Sequence, residues 1–77
     1  MDSINFVLNI ANQFDDTDVS EFNLETHFRE LDEWSSLNAL AILNMISKKY
    51  SVFLKPGEMK TVNTIQELFN LVKSKEN

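Results

Sequence analysis

The only glycine and the only proline of this 77-residue chain stand side by side, at Gly57 and Pro56. Neither residue type punctuates the rest of the chain, so long stretches are free to run as helices. A sheet of many short strands would need such turn residues throughout. There is no cysteine, hence no disulfide and no thiolate metal site, and stability must come from packing. A chain this short is expected to form one domain, 1–77, with a margin of about 3–5 kcal/mol.

Apolar periodicity divides the chain into an all-α pattern: a small four-helix bundle with three main helices, one short helix and a long first loop. A first helix is expected over residues 3–14, with Ile4, Val7, Ile10, Ala11 and Phe14 on one side and Asn5, Asn9 and Asn12 on the other. Phe6 and Leu8 widen that apolar face, which implies burial over a broad arc. Asp15, Asp16, Thr17 and Asp18 end the helix, because short polar side chains compete for backbone hydrogen bonds. Residues 15–35 make a long connection, uncommon unless it is functional or packed. Leu24, Phe28 and Leu31 recur at helical spacing, so part of it should form a turn pinned to the core, closed by Trp34.

The second long helix is expected from Ser36 to Lys49 or Tyr50. Ala39, Ile42, Leu43, Ile46 and Tyr50 share its core arc. Leu37, Leu40, Ala41, Asn44, Ser47 and Lys48 lie on the arc that carries Ser36. That second arc is apolar for a solvated face, and a chain this short cannot bury both. Contact with partner proteins is the favoured reading over burial on most sides. Tyr50, Val52 and Leu54 alternate like a strand, but no second run exists to pair with them, so an extended connector is expected. Pro56 suits the first turn of a short helix over residues 56–61. Thr64 and Glu67 fit a capping box ahead of Ile65, Leu68, Phe69 and Val72, and Lys73 and Lys75 suit the negative end of that last helix.

The net charge of −5 hides a division. Residues 1–33 hold nine acids against Arg29 alone, −8, while residues 34–77 hold three acids against six lysines, +3. An acidic half repels nucleic acid and attracts basic protein surfaces. No apolar run approaches the roughly 20 residues needed to span a bilayer. The beginning of the chain has Asp2 and no basic region, so it does not read as a signal peptide. A soluble, cytoplasmic monomer that binds neither nucleic acid nor membrane is expected.

Intrinsic catalysis finds no support. A calcium loop starting at Asp16 would put Glu21 where glycine is needed and His27 where glutamate is needed. His27 is the sole histidine, too few for a metal cluster and without an orienting partner for a nucleophile. No glycine-rich loop exists to cradle a nucleotide phosphate. What remains is the stretch Glu33-Trp34-Ser35-Ser36-Leu37, which puts a hydroxyl at the start of a helix behind an acidic loop.

From that stretch through Thr64-Ile65-Gln66-Glu67-Leu68, the chain resembles the acyl carrier protein family. The family's Asp-Ser-Leu triplet stands here as Ser35-Ser36-Leu37. Phe28 and Leu31 precede it, Tyr50, Val52 and Leu54 follow the second helix, and Thr64-Ile65 opens the last. The resemblance covers residues 28–74 well and the first helix more loosely. It implies a carrier, not an enzyme, in which Ser36 receives 4′-phosphopantetheine from coenzyme A through a phosphopantetheinyl transferase. The cofactor thiol then holds an acyl group as a thioester for acyl-loading and acyl-transfer enzymes.

By the same resemblance, Leu43, Ile46, Leu54, Met59 and Val62 are the candidate lining of an acyl pocket, and ordinary core residues otherwise. Trp34, Ser35, Leu37, Ala41, Asn44 and Lys48 form the candidate partner surface. Two departures matter. Serine replaces aspartate at position 35, where it can serve equally as a helix cap but not as a negative contact for the transferase. The second helix also lacks the acids that meet basic enzymes in fatty-acid synthesis, which points to a specialised pathway. An aminoacyl or peptidyl carrier, or an unmodified interaction module of the same fold, are the alternatives.

Overall fold

The computed structural model describes residues 2–76 and contains four α-helices and no strand among them. They are α1 (Ser3–Ala11), α2 (Ser36–Tyr50), α3 (Pro56–Met59) and α4 (Ile65–Lys75), and 3-10 turns at Val19–Glu21 and Phe28–Glu30 punctuate the first loop. α1 packs on α4 and α2 on α3. Phe6, Ile10, Phe28, Ile42, Ile46, Ile65, Leu68 and Val72 are fully enclosed at the centre.

α1 starts where Asp2 accepts the amide of Ile4 at 2.9 Å. It stops at Ala11, three residues short of the expected end, and the chain continues to Phe14 as a turn closed by Phe14 N–H donating to Ala11 C=O at 3.0 Å. The buried face is also rotated from the expected one. Phe6 is fully enclosed, its ring 5.3 Å from that of Phe69 and 5.6 Å from Tyr50. Burying this large ring turns Ile4 and Leu8, roughly half a turn away around the helix, toward solvent. They are 70% and 43% exposed, so the broad burial expected of this helix is not realised.

α2 buries Asn38, Ile42, Met45 and Ile46, while Ala39, Leu43 and Tyr50 are only half-buried. The core arc is therefore shifted from the expected one by the inclusion of Asn38 and Met45. The Tyr50 hydroxyl accepts from Asn9 Nδ2 at 2.9 Å and ties the end of α2 to α1. Ser51 ends the helix in the left-handed region, at φ 55°, donating to Ser47 C=O at 3.1 Å. The connector then alternates as expected: Val52 and Leu54 are buried and Phe53 faces solvent.

α3 is one turn, ending at Met59 rather than 61. Its Glu58 carboxylate accepts the Lys55 amide at 3.0 Å and pairs with Lys75 of α4 at 2.8 Å. The Thr64 hydroxyl accepts from Glu67 N–H at 3.1 Å, and the Glu67 carboxylate accepts from Thr64 N–H at 3.3 Å. This is the reciprocal cap that Thr64 and Glu67 foretell.

Candidate functional site

Ser36 is the first residue of α2 and lies exposed. Its neighbour Ser35 occupies the cap position with extended backbone, but its hydroxyl accepts no amide. Instead it donates to Asn38 Oδ1 at 3.0 Å, while Asn38 Nδ2 donates to Gln13 C=O at 3.1 Å. Serine at position 35 therefore does not cap the helix as expected. Asn38, buried between the end of α1 and the start of α2, draws its hydroxyl away. The consequence is local: the amides of Ser36, Leu37 and Asn38 meet no protein acceptor among the described residues. Unpaired amides and the positive end of the helix dipole favour an anion there, by about 0.3–1 kcal/mol at an exposed site.

The loop ahead of the serine is clasped by Glu33. Its carboxylate accepts from Asp15 N–H at 2.7 Å, Asp16 N–H at 2.9 Å and Thr17 Oγ1 at 2.7 Å. Partial desolvation pushes this carboxyl up, but the hydrogen bonds from Thr17, Asp15 and Asp16 and the nearby Asn38 amide together outweigh it. The group sits below its ordinary value near 4.5. A carboxyl lowered on folding stabilises the fold fully above its ordinary pKa, and that contribution is lost as pH falls through the lowered value. Urea midpoints measured between about pH 6 and pH 3 should therefore fall with acid, and less steeply in Glu33→Gln. Parallel acid limbs in the two proteins would show that the clasp contributes nothing.

On the α3 side of Ser36 lies a groove of about 520 Å3. Trp34, Ala39, Leu40, Leu43, Pro56 and Met59 supply its apolar wall, Ser36 is part of the lining, and the two charged residues in it, Arg29 and Lys60, are both cations. Trp34 is fixed edge-on to Phe28 at 5.5 Å and lies 6.3 Å from Phe14. Arg29 is fixed as well: Nε and Nη2 donate to Val62 C=O at 3.2 and 2.8 Å, and Nη2 also to Asn63 Oδ1. On the opposite flank, a polar cleft of about 380 Å3 brings Asp15 and Glu33 beside Ser35, Leu37 and Ala41.

Of the five residues singled out as pocket lining, Leu43 and Met59 border the groove, whereas Ile46, Leu54 and Val62 lie in the enclosed core behind it. Of the candidate partner surface, Ser35, Leu37, Asn44 and Lys48 are exposed, and Trp34 and Ala41 half-buried. Leu37 and Leu40 are 76% and 59% exposed on one helix that carries no acid. Arg29 and Lys60 escaped the sequence reading. The signal for Arg29 was available, as the one cation among nine acids in residues 1–33. No group of three or more His, Cys, Asp or Glu side chains among the described residues is placed to hold a metal.

A hydroxyl with no hydrogen bond among the described residues, a helix start open to an anion and an adjoining apolar groove with cations suit a phosphodiester-linked arm. The family model for the phosphopantetheine attachment site matches residues 2–72. The chain belongs to this family of acyl and peptidyl carrier proteins, whose domain takes 4′-phosphopantetheine covalently. Carrier domains of the family are not themselves catalytic, and they work with phosphopantetheinyl transferases and acyl-handling enzymes. No curated protein and no solved structure gave a significant match to the chain. No helix among the described residues is long and apolar enough to cross a membrane.

Proposed function

We propose that this chain is a single-domain acyl carrier protein of a specialised cytoplasmic pathway, with Ser36 as the attachment residue and no catalysis of its own. The observation that carries the assignment of Ser36 is its exposed hydroxyl, without a hydrogen bond to the described residues, at an uncapped helix start that borders an apolar groove. Once bound, the arm supplies the thiol that this cysteine-free chain lacks. The chain's own residues do the rest. The amides of Ser36, Leu37 and Asn38 would hold the phosphodiester, and Trp34, Leu40, Leu43 and Met59 would shelter apolar cargo from water. Met59 adapts readily to different cargo because its side chain is flexible. If cargo reaches deeper, Ile46, Leu54 and Val62 must part to admit it.

In this reading partners approach over Trp34, Ser35, Leu37, Ala41, Asn44 and Lys48. Because α2 has no carboxylate, docking uses the exposed leucines together with Asp15 and Glu33 across the cleft. Such a surface is not complementary to enzymes that read a row of acids along the helix.

The test is intact mass after incubating the apo-protein with coenzyme A and a broad-specificity phosphopantetheinyl transferase. A gain of one phosphopantetheine unit is expected, retained by Ser35→Ala. No gain with any transferase, including one from the source organism, would identify an unmodified interaction module of the same fold. A gain retained by Ser36→Ala but lost by Ser35→Ala would move the attachment point to Ser35.

A further inference from the structure

α1 carries more apolar surface than the core takes up. The exposed Ile4 and Leu8, with Val7, Phe22 and Leu24, line a groove of about 490 Å3 between α1 and residues 22–25, and it shares no residue with the groove at Ser36. Its loop wall is built rigidly. Leu24 C=O accepts from Gln66 N–H at 2.8 Å and Thr26 C=O from Ile65 N–H at 3.1 Å, fastening the loop to the start of α4. Asn23 Oδ1 accepts from Glu25 N–H at 2.8 Å, and the Thr26 hydroxyl accepts from Asn23 N–H at 2.9 Å. A preformed wall spares a ligand the cost of ordering it.

The groove's charge selects its occupant. Glu25 is the one charged residue in the lining. The charged residues that adjoin the lining in the chain, Asp2 and Glu21, are acids as well. We propose that this groove docks a basic amphipathic segment of a partner protein, with apolar side chains seated against Ile4, Leu8 and Leu24 and lysine or arginine facing the acidic surroundings. A symmetric pairing with a second copy through this face would instead set acid against acid. Because the groove is separate from that of Ser36, a docked partner leaves the serine accessible, and the inference does not depend on Ser36 being modified.

The probe is a synthetic 14-residue leucine–lysine amphipathic helix, with its leucine–glutamate counterpart as control, titrated into the isotope-labelled full chain and mapped by amide chemical shifts. Binding of the lysine peptide alone is expected, with shifts at residues 3–8 and 22–25. Affinity should drop about tenfold in Ile4→Ser/Leu8→Ser, which loses apolar contact area, and fall again in Glu25→Lys. All three side chains are exposed, and thermal melts of the variants check that the fold survives. Shifts centred on Leu37 and Leu40, equal binding of both peptides, no binding of either, or a concentration-dependent dimer through this face without peptide would each overturn the proposal.

Discussion

Ser36→Ala is expected to abolish loading completely while leaving the fold intact. The hydroxyl is exposed, makes no hydrogen bond to the described residues and sits in the first turn of α2, where alanine is a good helix former. Its removal should change stability by no more than about 0.5 kcal/mol. Loss of mass gain without loss of helical signal would separate attachment from folding. Ser35→Ala supplies the contrast. Its hydroxyl serves the Asn38 amide rather than the helix amides, so the variant should load and melt slightly earlier. A mass gain that survives in Ser36→Ala would refute the assignment outright.

Phe28→Ala should leave the chain largely unfolded at 25 °C. The ring is fully enclosed and meets Trp34 edge-on at 5.5 Å. Truncating a buried phenylalanine costs about 3–5 kcal/mol, which equals the whole margin of about 3–5 kcal/mol expected of so small a core. The loss is also badly placed. The turn Phe28–Glu30 carries Arg29, which holds the segment ahead of α4 through Val62 C=O. It also supports Trp34, two residues before the serine. Far-UV circular dichroism and urea titration give the readout, and Phe28→Leu, which keeps most of the volume, should fold with a lowered midpoint. A cooperative transition near the wild-type midpoint in Phe28→Ala would mean that the loop closes without its anchor.

The helices were legible because their signals are local. The capping pair Thr64 and Glu67, the scarcity of breakers and the spacing of Ile65, Leu68, Phe69 and Val72 each act within a few residues. The rotation of α1 was not legible, since it depends on where Phe69 and Tyr50 receive the ring of Phe6. Periodicity says that a helix has an apolar side, and with Ile4, Phe6, Val7, Leu8 and Ile10 in close succession several arcs compete. The role of Asn38 was hidden for the same reason. Its amide answers Gln13, 25 positions earlier, and in doing so withdraws Ser35 from the capping that its sequence position suggests. The serine at the helix start could be read from the sequence, whereas the cations of its groove, Arg29 and Lys60, come from segments about thirty residues apart.

The polar fastenings of this molecule are almost all hydrogen bonds with at least one uncharged partner. Arg29 grips a carbonyl and an amide, Glu33 grips backbone amides and a hydroxyl, and the one Lys/Arg–carboxylate pair among the described residues is Glu58–Lys75, with His27 Nδ1 3.2 Å from Glu30 at the surface. Exposed pairs of this kind contribute little, and salt weakens them further. Ionic strength therefore acts on the two halves of the molecule's behaviour unequally. Raising it leaves the fold nearly as stable while it screens the −8 of the first 33 residues from any basic partner. An association can be switched off in solution with the carrier still folded, so that what is electrostatic in its encounters can be separated from what is shape.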